Sequence, residues 1–188
     1  MADVPASLES IGRVARVLDE AGLPHVFIGG VALNTWGIPR ATFDLDIVVT
    51  IDDASFPDLF TRFRKAGFVI DATFEKGFRD QVAGMQKLHM HLPVANSLMA
   101  LDLFLASTPF LRSVVERRVS VDLGAGQFHV CTAADLILFK LLADRPKDRV
   151  DTSNVVAIQG IPERAYLERW ARELGVQSRL ADLLNREA

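Results

Sequence analysis

One cysteine, Cys131, stands in the 188 residues, so no internal disulfide is available. A reduced, cytoplasmic setting is the simplest fit. Cys131 itself reads as a small buried apolar residue at a strand end. There is no excess of positive charge: 21 Lys and Arg stand against 24 Asp and Glu, a net charge of −3. This argues against an extensive non-specific nucleic-acid coat and leaves room for a local basic groove. No apolar run has the length of a membrane span, and the acidic start does not read as a signal peptide. No internal repeat or low-complexity tract occurs. What the chain does have is a 49% hydrophobic composition, enough for a sizeable core. Its length suits one domain, or one domain with a helical extension.

Hydrophobic periodicity sets the expected elements. Apolar residues recur at helical spacing from Ser7 to Ala21, where Gly22 and Pro24 stop the pattern. His25 to Ile28 reads as a strand, Val31 to Trp36 as a helix and Phe43 to Thr50 as a strand. Asp53 to Ala66 reads as a helix with Phe56, Leu59, Phe60 and Phe63 on one face. Phe68 to Asp71 is a short strand, and Lys76 to Gly84 is ambiguous. Gln86 to Leu92 and Ser97 to Ala106 alternate, with Pro93 and Asn96 between them, as a hairpin does. Pro109 to Arg117 is helical. Val119 to Leu123 and Gln127 to Cys131 flank a Gly-Ala-Gly turn as a second hairpin. From Ala133 onward the pattern is helical, broken at Gly160 to Pro162 and at Gly175. The order gives an α/β fold, a mixed sheet followed by a C-terminal helical extension. The expected division places a catalytic core at 1–131 and a helical part closing a cleft at 132–188.

The chemistry concentrates between Phe27 and Val49. A short apolar run ends in Gly29-Gly30, a helix follows, and a second apolar run carries Asp44 and Asp46. Alternate strand residues share a face, so these two aspartates point one way and Leu45 and Ile47 the other. Adjacent carboxylates on an apolar strand repel each other and lose solvation, which a divalent cation relieves. Mg²⁺ is typically held by one or two carboxylates together with substrate phosphates. Glycines ahead of a helix let the backbone approach an anion at the helix N-terminus. The combination suggests chemistry on a nucleoside triphosphate, whereas a surface strand with two solvated aspartates is the plain alternative.

The same segment resembles the nucleotidyltransferase superfamily of the DNA polymerase beta type. The resemblance rests on Ile28-Gly29-Gly30, thirteen spacer residues and Asp44-Leu45-Asp46-Ile47. It implies an α/β nucleotidyltransferase core that transfers NMP from an NTP, such as ATP, to a hydroxyl acceptor. Mg²⁺ would be held by Asp44, Asp46 and a third carboxylate. Asp102, in the middle of an apolar strand, matches the context of that third acid as ligand or base. Burying it without a partner would be costly; a bonded core aspartate is the alternative. Asp122 is a rival, but its place beside Gly124 reads better as a solvated hairpin acid. Arg40 and Thr42, between the glycines and Asp44, fall where the family often has Arg and Ser or Thr, near triphosphate or acceptor. Val31 replaces the Ser or Thr that several relatives carry after the glycines, so backbone N–H groups must serve there.

Residues Thr132 to Asp151 carry a second resemblance, to the helical motif of AbiEii-like small nucleotidyltransferases. It implies that Lys140 contacts nucleotide phosphates and that Asp148 helps shape the nucleotide site. Lys140 sits in a stretch that is apolar on nearly every side. Such a lysine either meets an anion or snorkels to solvent, in which case Asp144 at i+4 would pair with it. Lys147, Arg149 and Asp151 read equally as a solvated helix face. His89 and His91 share a strand face and read as a solvated pair rather than a metal site. Relatives act on tRNA, proteins or small molecules, and some are toxins beside a cognate antitoxin protein. A catalytically silent module binding a nucleotide or a partner on the same fold is the alternative of another class.

Overall fold

The computed structural model describes residues 7–94 and 97–186. Helix α1 (Leu8–Glu20) starts at Ser7, whose hydroxyl accepts from the Ser10 N–H. Its amphipathic spacing buries Val14 and Leu18. Strand β1 (His25–Phe27) leads into α2 (Gly29–Trp36), and β2 (Asp44–Val49) follows. Then come α3 (Phe56–Lys65), β3 (Val69–Ile70) and the single turn α4 (Ala72–Glu75). The long hairpin strands β5 (Met85–Val94) and β6 (Ser97–Leu105) come after the short β4 (Asp80–Val82). The expected turn at Ala95 and Asn96 lies outside the described residues. Helix α5 (Pro109–Glu116) and the hairpin β7 (Val119–Asp122) with β8 (Gln127–Val130) precede α6 (Ala133–Ala143). The chain ends in α7 (Pro146–Gln159), α8 (Arg164–Glu173) and α9 (Gln177–Arg186).

The strands form one open mixed sheet in the order β3-β5-β6-β2-β1-β8-β7, with β4 on the same edge of β5 as β3. Strand β2 runs parallel to β6 and antiparallel to β1. The register pairs Leu45 with Leu101, Asp46 with Asp102 and Ile47 with Leu103. Residues paired across a ladder share a face, so the sheet sorts its own chemistry. Leu45, Ile47, Leu101 and Leu103 are wholly buried on one face, and the acids lie on the other.

Helix α6 is the hydrophobic axis of the C-terminal part. All residues from Ala133 to Leu141 are buried, as its nearly all-round apolar sequence requires. It packs against α2, α7 and α8, and its apolar side chains belong to the same core cluster as those of the sheet. A capping box opens it: the Thr132 hydroxyl accepts from the Asp135 N–H, and Asp135 accepts from the Thr132 N–H. It ends at Asp144 in the left-handed region, and Pro146 opens α7 at a position where no N–H is needed. This corner reverses the chain and brings the first turns of α7 back over the end of α6. No described helix is long and apolar enough to cross a membrane.

Two substitutions on β2 separate its faces. Leu45→Ala opens a cavity in the core and should lower unfolding free energy by about 2–5 kcal/mol. Asp44→Ala, one residue away on the acidic face, should leave stability unchanged or raised. Chemical denaturation of both variants checks the contrast.

Candidate active site

Asp44, Asp46 and Asp102 lie on adjacent strands and face the same way, with Asp46 directly beside Asp102. Their surroundings differ. Asp44 accepts a hydrogen bond from the Thr42 hydroxyl at 3.0 Å. Asp102 accepts from Lys87 Nζ at 2.6 Å and from His89 Nδ1 at 2.6 Å. Burial pushes the Asp102 carboxyl up, but these two hydrogen bonds and the attached charges outweigh it and hold it below the usual range. Asp46 receives no such help. Burial first, then the neighbouring Asp44 and Asp102 carboxylates, push its pKa from 3.8 to about 7, against the more distant charges of Arg145 and Lys140.

The glycines are explained by this carboxylate. Helix α2 begins hard against β2, and a Cβ on Gly29 would overlap Asp46 Oδ2 and lie 2.9 Å from its Cγ. Gly29 also has φ +56°, a conformation that favours glycine. A Cβ on Gly30 would overlap Thr42 Oγ1. Gly29 and Gly30 therefore seat the helix on Asp46 and Thr42. No side chain caps the start of α2, so its first N–H groups have no side-chain acceptor there.

The α6–α7 corner supplies the cations. Lys140 is 6% exposed, and its ammonium lies 2.9 Å from Asp148 and 2.7 Å from Asp151. Its partner is thus not Asp144, which pairs with Arg149 and Arg179. Asp151 is buried rather than solvated, because it also receives a two-pronged contact from Arg40, at 3.3 and 3.0 Å. Asp148 is wholly buried and binds Arg145 through Nε at 2.6 Å and Nη2 at 3.2 Å. Burial pushes both acids up; hydrogen bonds from Arg145 and Lys140 on Asp148, and from Arg40 and Lys140 on Asp151, prevail and hold both below the usual range. His89 is not simply solvated either. It donates through Nδ1 to Asp102, and its Nε2 lies 3.0 Å from His91 Nε2.

These groups line a cleft of about 470 Å³ that includes Gly29, Gly30, Arg40, Thr42, Asp44, Asp46 and Lys140, together with His91, Arg145 and Lys147. Asp148 lies behind it, orienting Lys140 and Arg145. Asp102 is outside this cleft and lines an adjoining one. Among the described residues, no group of three or more His, Cys, Asp and Glu side chains is placed to hold one metal ion. A two-carboxylate site at Asp44 and Asp46 is what the donor set offers, and it suits Mg²⁺ completed by phosphate oxygens. Arg145 and Lys87 are site residues that periodicity alone did not single out. The signal for Lys87 was present, since Lys87, His89 and His91 alternate on one strand face.

The raised Asp46 pKa has a consequence in metal-free protein. A folded-state carboxyl that keeps its proton up to about 7, against 3.8 without the fold, makes stability fall as pH rises through that window. Asp46→Asn has no charge to bury there. In EDTA its melting temperature should exceed that of the wild type at pH 8, and the gap should close toward pH 4. Equal gaps at both pH values would show that Asp46 is not strained. Separately, Lys140→Met leaves Asp148 and Asp151 short of a buried partner and should destabilise by about 3–5 kcal/mol.

No family model matches the sequence, and no curated protein matches it. Solved structures do. A nucleotidyltransferase-like antigenic protein from Paracoccidioides brasiliensis aligns with a TM-score of 0.57 at 16% identity, over 97% of this chain and 95% of that one. The antibiotic-resistance factor ANT(2'')-Ia aligns with a TM-score of 0.57 at 14% identity, over 94% of each chain. The lincosamide antibiotic adenylyltransferase LnuA, in its lincomycin-bound structure, gives 0.55 at 13% identity, over 83% of this chain and all of that one. At such identities the likeness is one of fold. The chain has the fold of nucleotidyltransferase-like proteins, an open mixed sheet with a C-terminal helical extension.

Proposed function

We propose that the protein is a nucleotidyltransferase that moves NMP from an NTP to an acceptor hydroxyl and releases pyrophosphate. The observation that carries this reading is the face shared by Asp44, Asp46 and Asp102, with the glycine start of α2 closed over Asp46. The fold shared with nucleotidyltransferase-like proteins supports it.

Each residue has a role that follows from its surroundings. Asp44 and Asp46 would hold Mg²⁺, which when bound supplies positive charge to the triphosphate and to the attacking and leaving oxygens. The uncapped N–H groups of α2 suit phosphate oxygens. An ammonium has three donors, and Lys140 spends two on Asp148 and Asp151, which leaves one for a phosphate in the cleft that it lines. Arg40 and Lys147 add charge on the same side, and Thr42 holds Asp44 in place. Asp102 is kept ionised by Lys87 and His89. That makes it a good hydrogen-bond acceptor and a weak base, so its role is to orient the acceptor hydroxyl rather than to pull its proton away strongly.

A specific observation favours a second reading, a silent binding module. Lys140, Arg40, Arg145 and Lys87 all have acidic partners within the protein, so the site is largely compensated without a ligand. A toxin-type role beside an antitoxin rests on the resemblance of residues 132–151 alone. tRNA and protein are acceptors the same reading allows.

The two readings part on transfer. Incubation with Mg²⁺ and α-labelled NTP in cell extract should label an acceptor with the wild type and not with Asp46→Ala, while both melt cooperatively. Lys140→Ala should weaken Mg²⁺-dependent NTP binding by about 1–3 kcal/mol in calorimetry, below its melting range. Binding without any labelled product would support the silent module. Full transfer by Asp46→Ala would sink the mechanism.

A further inference from the structure

Asp44 and Asp46 stand between two cavities. The polar cleft lies on one side. The other cavity, of about 330 Å³, shares Gly29, Asp44, Asp46, Lys140 and Arg145 with it and extends toward Asp102. Its walls are of a different kind. Phe104 comes from β6, Met85 from β5, and Leu136, Phe139 and Leu142 from α6, with Val82 on β4 also lining it. Beyond the shared residues its charged groups are Lys87 and Asp102, joined at 2.6 Å and so neutral as a pair.

We propose that this second cavity takes the acceptor, and that the acceptor is a small, uncharged molecule with an apolar body and a hydroxyl. The proposal rests on the transferase reading and names the substrate class for it. Three observations carry it. The volume falls in the range of small-molecule pockets. The apolar walls from α6, β5 and β6 would bury an apolar body. The charge also selects: a hydroxyl on RNA arrives with flanking phosphates, and affinity for those depends on uncommitted Lys and Arg. Here Lys87 is bound to Asp102, Arg145 to Asp148 and Lys140 to Asp148 and Asp151, and the one donor left to Lys140 is the one assigned to the triphosphate. Asp102 still has capacity for a hydroxyl, since an ionised carboxylate offers about four lone-pair sites and two are in use. In the reaction the acceptor oxygen bonds to the α-phosphorus, and the bond from that phosphorus to the bridging oxygen of pyrophosphate breaks. Asp102 orients the hydroxyl, whose proton is lost to solvent as the new bond forms, and pyrophosphate leaves.

The rim residue Val82 provides the test. It is 43% exposed on a short edge strand, so Val82→Trp fills the cavity mouth without disturbing the core. Ala143→Phe, at the end of α6, blocks the same cavity from the opposite element. Calorimetry with naphthol, a flat apolar alcohol, and separately with Mg²⁺ and a non-hydrolysable ATP analogue, is run on the full chain. The wild type should bind both. Each variant should lose naphthol affinity by about tenfold or more and keep its nucleotide affinity, at a wild-type melting temperature. Parallel loss of nucleotide affinity in both variants would overturn the proposal, because the cavity would then hold the nucleobase. Failure of naphthol to bind the wild type, or transfer of label to tRNA by the wild type, would overturn it too. Naphthol binding with no nucleotide binding would refute the transferase reading and the role of acceptor, leaving the ligand class intact.

Discussion

Crowding of negative charge on one sheet face is the constraint around which this protein is organised. The parallel register of β2 and β6 sets Asp46 beside Asp102, and the period of the strand sets Asp44 on the same side. None of the three can move away, because Leu45, Ile47, Leu101 and Leu103 between them anchor both strands in the core. The compensation is uneven. Asp102 receives Lys87 and His89 across the β5–β6 ladder, Asp44 receives only a hydroxyl, and Asp46 is left to rise toward neutrality. A folded state that keeps one carboxylate poorly compensated gives up stability there. Such a site is where a cation gains most from binding.

The C-terminal helices answer the same constraint from the other side. Lys140 on its own would be an unpaired ammonium inside an apolar helix. Asp148 and Asp151 resolve that, since positions three apart on α7 present both acids to one place. Those acids then hold Arg40, from the loop before β2, and Arg145, at the corner. The network thus ties the loop that precedes Asp44 to the α6–α7 corner. A buried pair of this kind adds little net stability but fixes geometry, since breaking it strands a charge. It holds Lys140, Arg40 and Arg145 on the wall of the cleft that Asp44 and Asp46 also line.

Much of this was legible in the sequence because it is written locally. Glycines before a helix, aspartates two apart on an apolar strand, and a carboxylate in the middle of another apolar strand each break a simple rule for where such residues belong. Most element boundaries followed from periodicity to within a residue or two; β4 and the single turn of α4 did not, being too short to show a period. The partners of the charged residues were not legible. Whether Lys140 met Asp144 or Asp148 depended on a left-handed residue at Asp144 and the reversal after it, which spacing along one continuous helix cannot express. His89 on Asp102 depended on cross-strand register. The glycines themselves were read toward a ligand, whereas the contact that demands them is with Asp46 and Thr42.

The packing of α2 on Asp46 bears on how the site would work. If Gly29 served only to admit a phosphate, a side chain there would weaken binding and leave the carboxylates in place. Because the helix start is packed directly on Asp46, any displacement of α2 also moves or exposes the carboxylate whose burial raises its pKa. On the proposed function, anion contacts at the helix N-terminus and metal affinity at Asp46 would therefore be coupled through the packing of Gly29 on Asp46. Ligands that draw α2 closer deepen the burial of Asp46 and increase its demand for a cation. A cation that satisfies Asp46 removes the repulsion opposing that approach. Nucleotide and metal should accordingly favour each other's binding, with the glycine contact as the physical link between them.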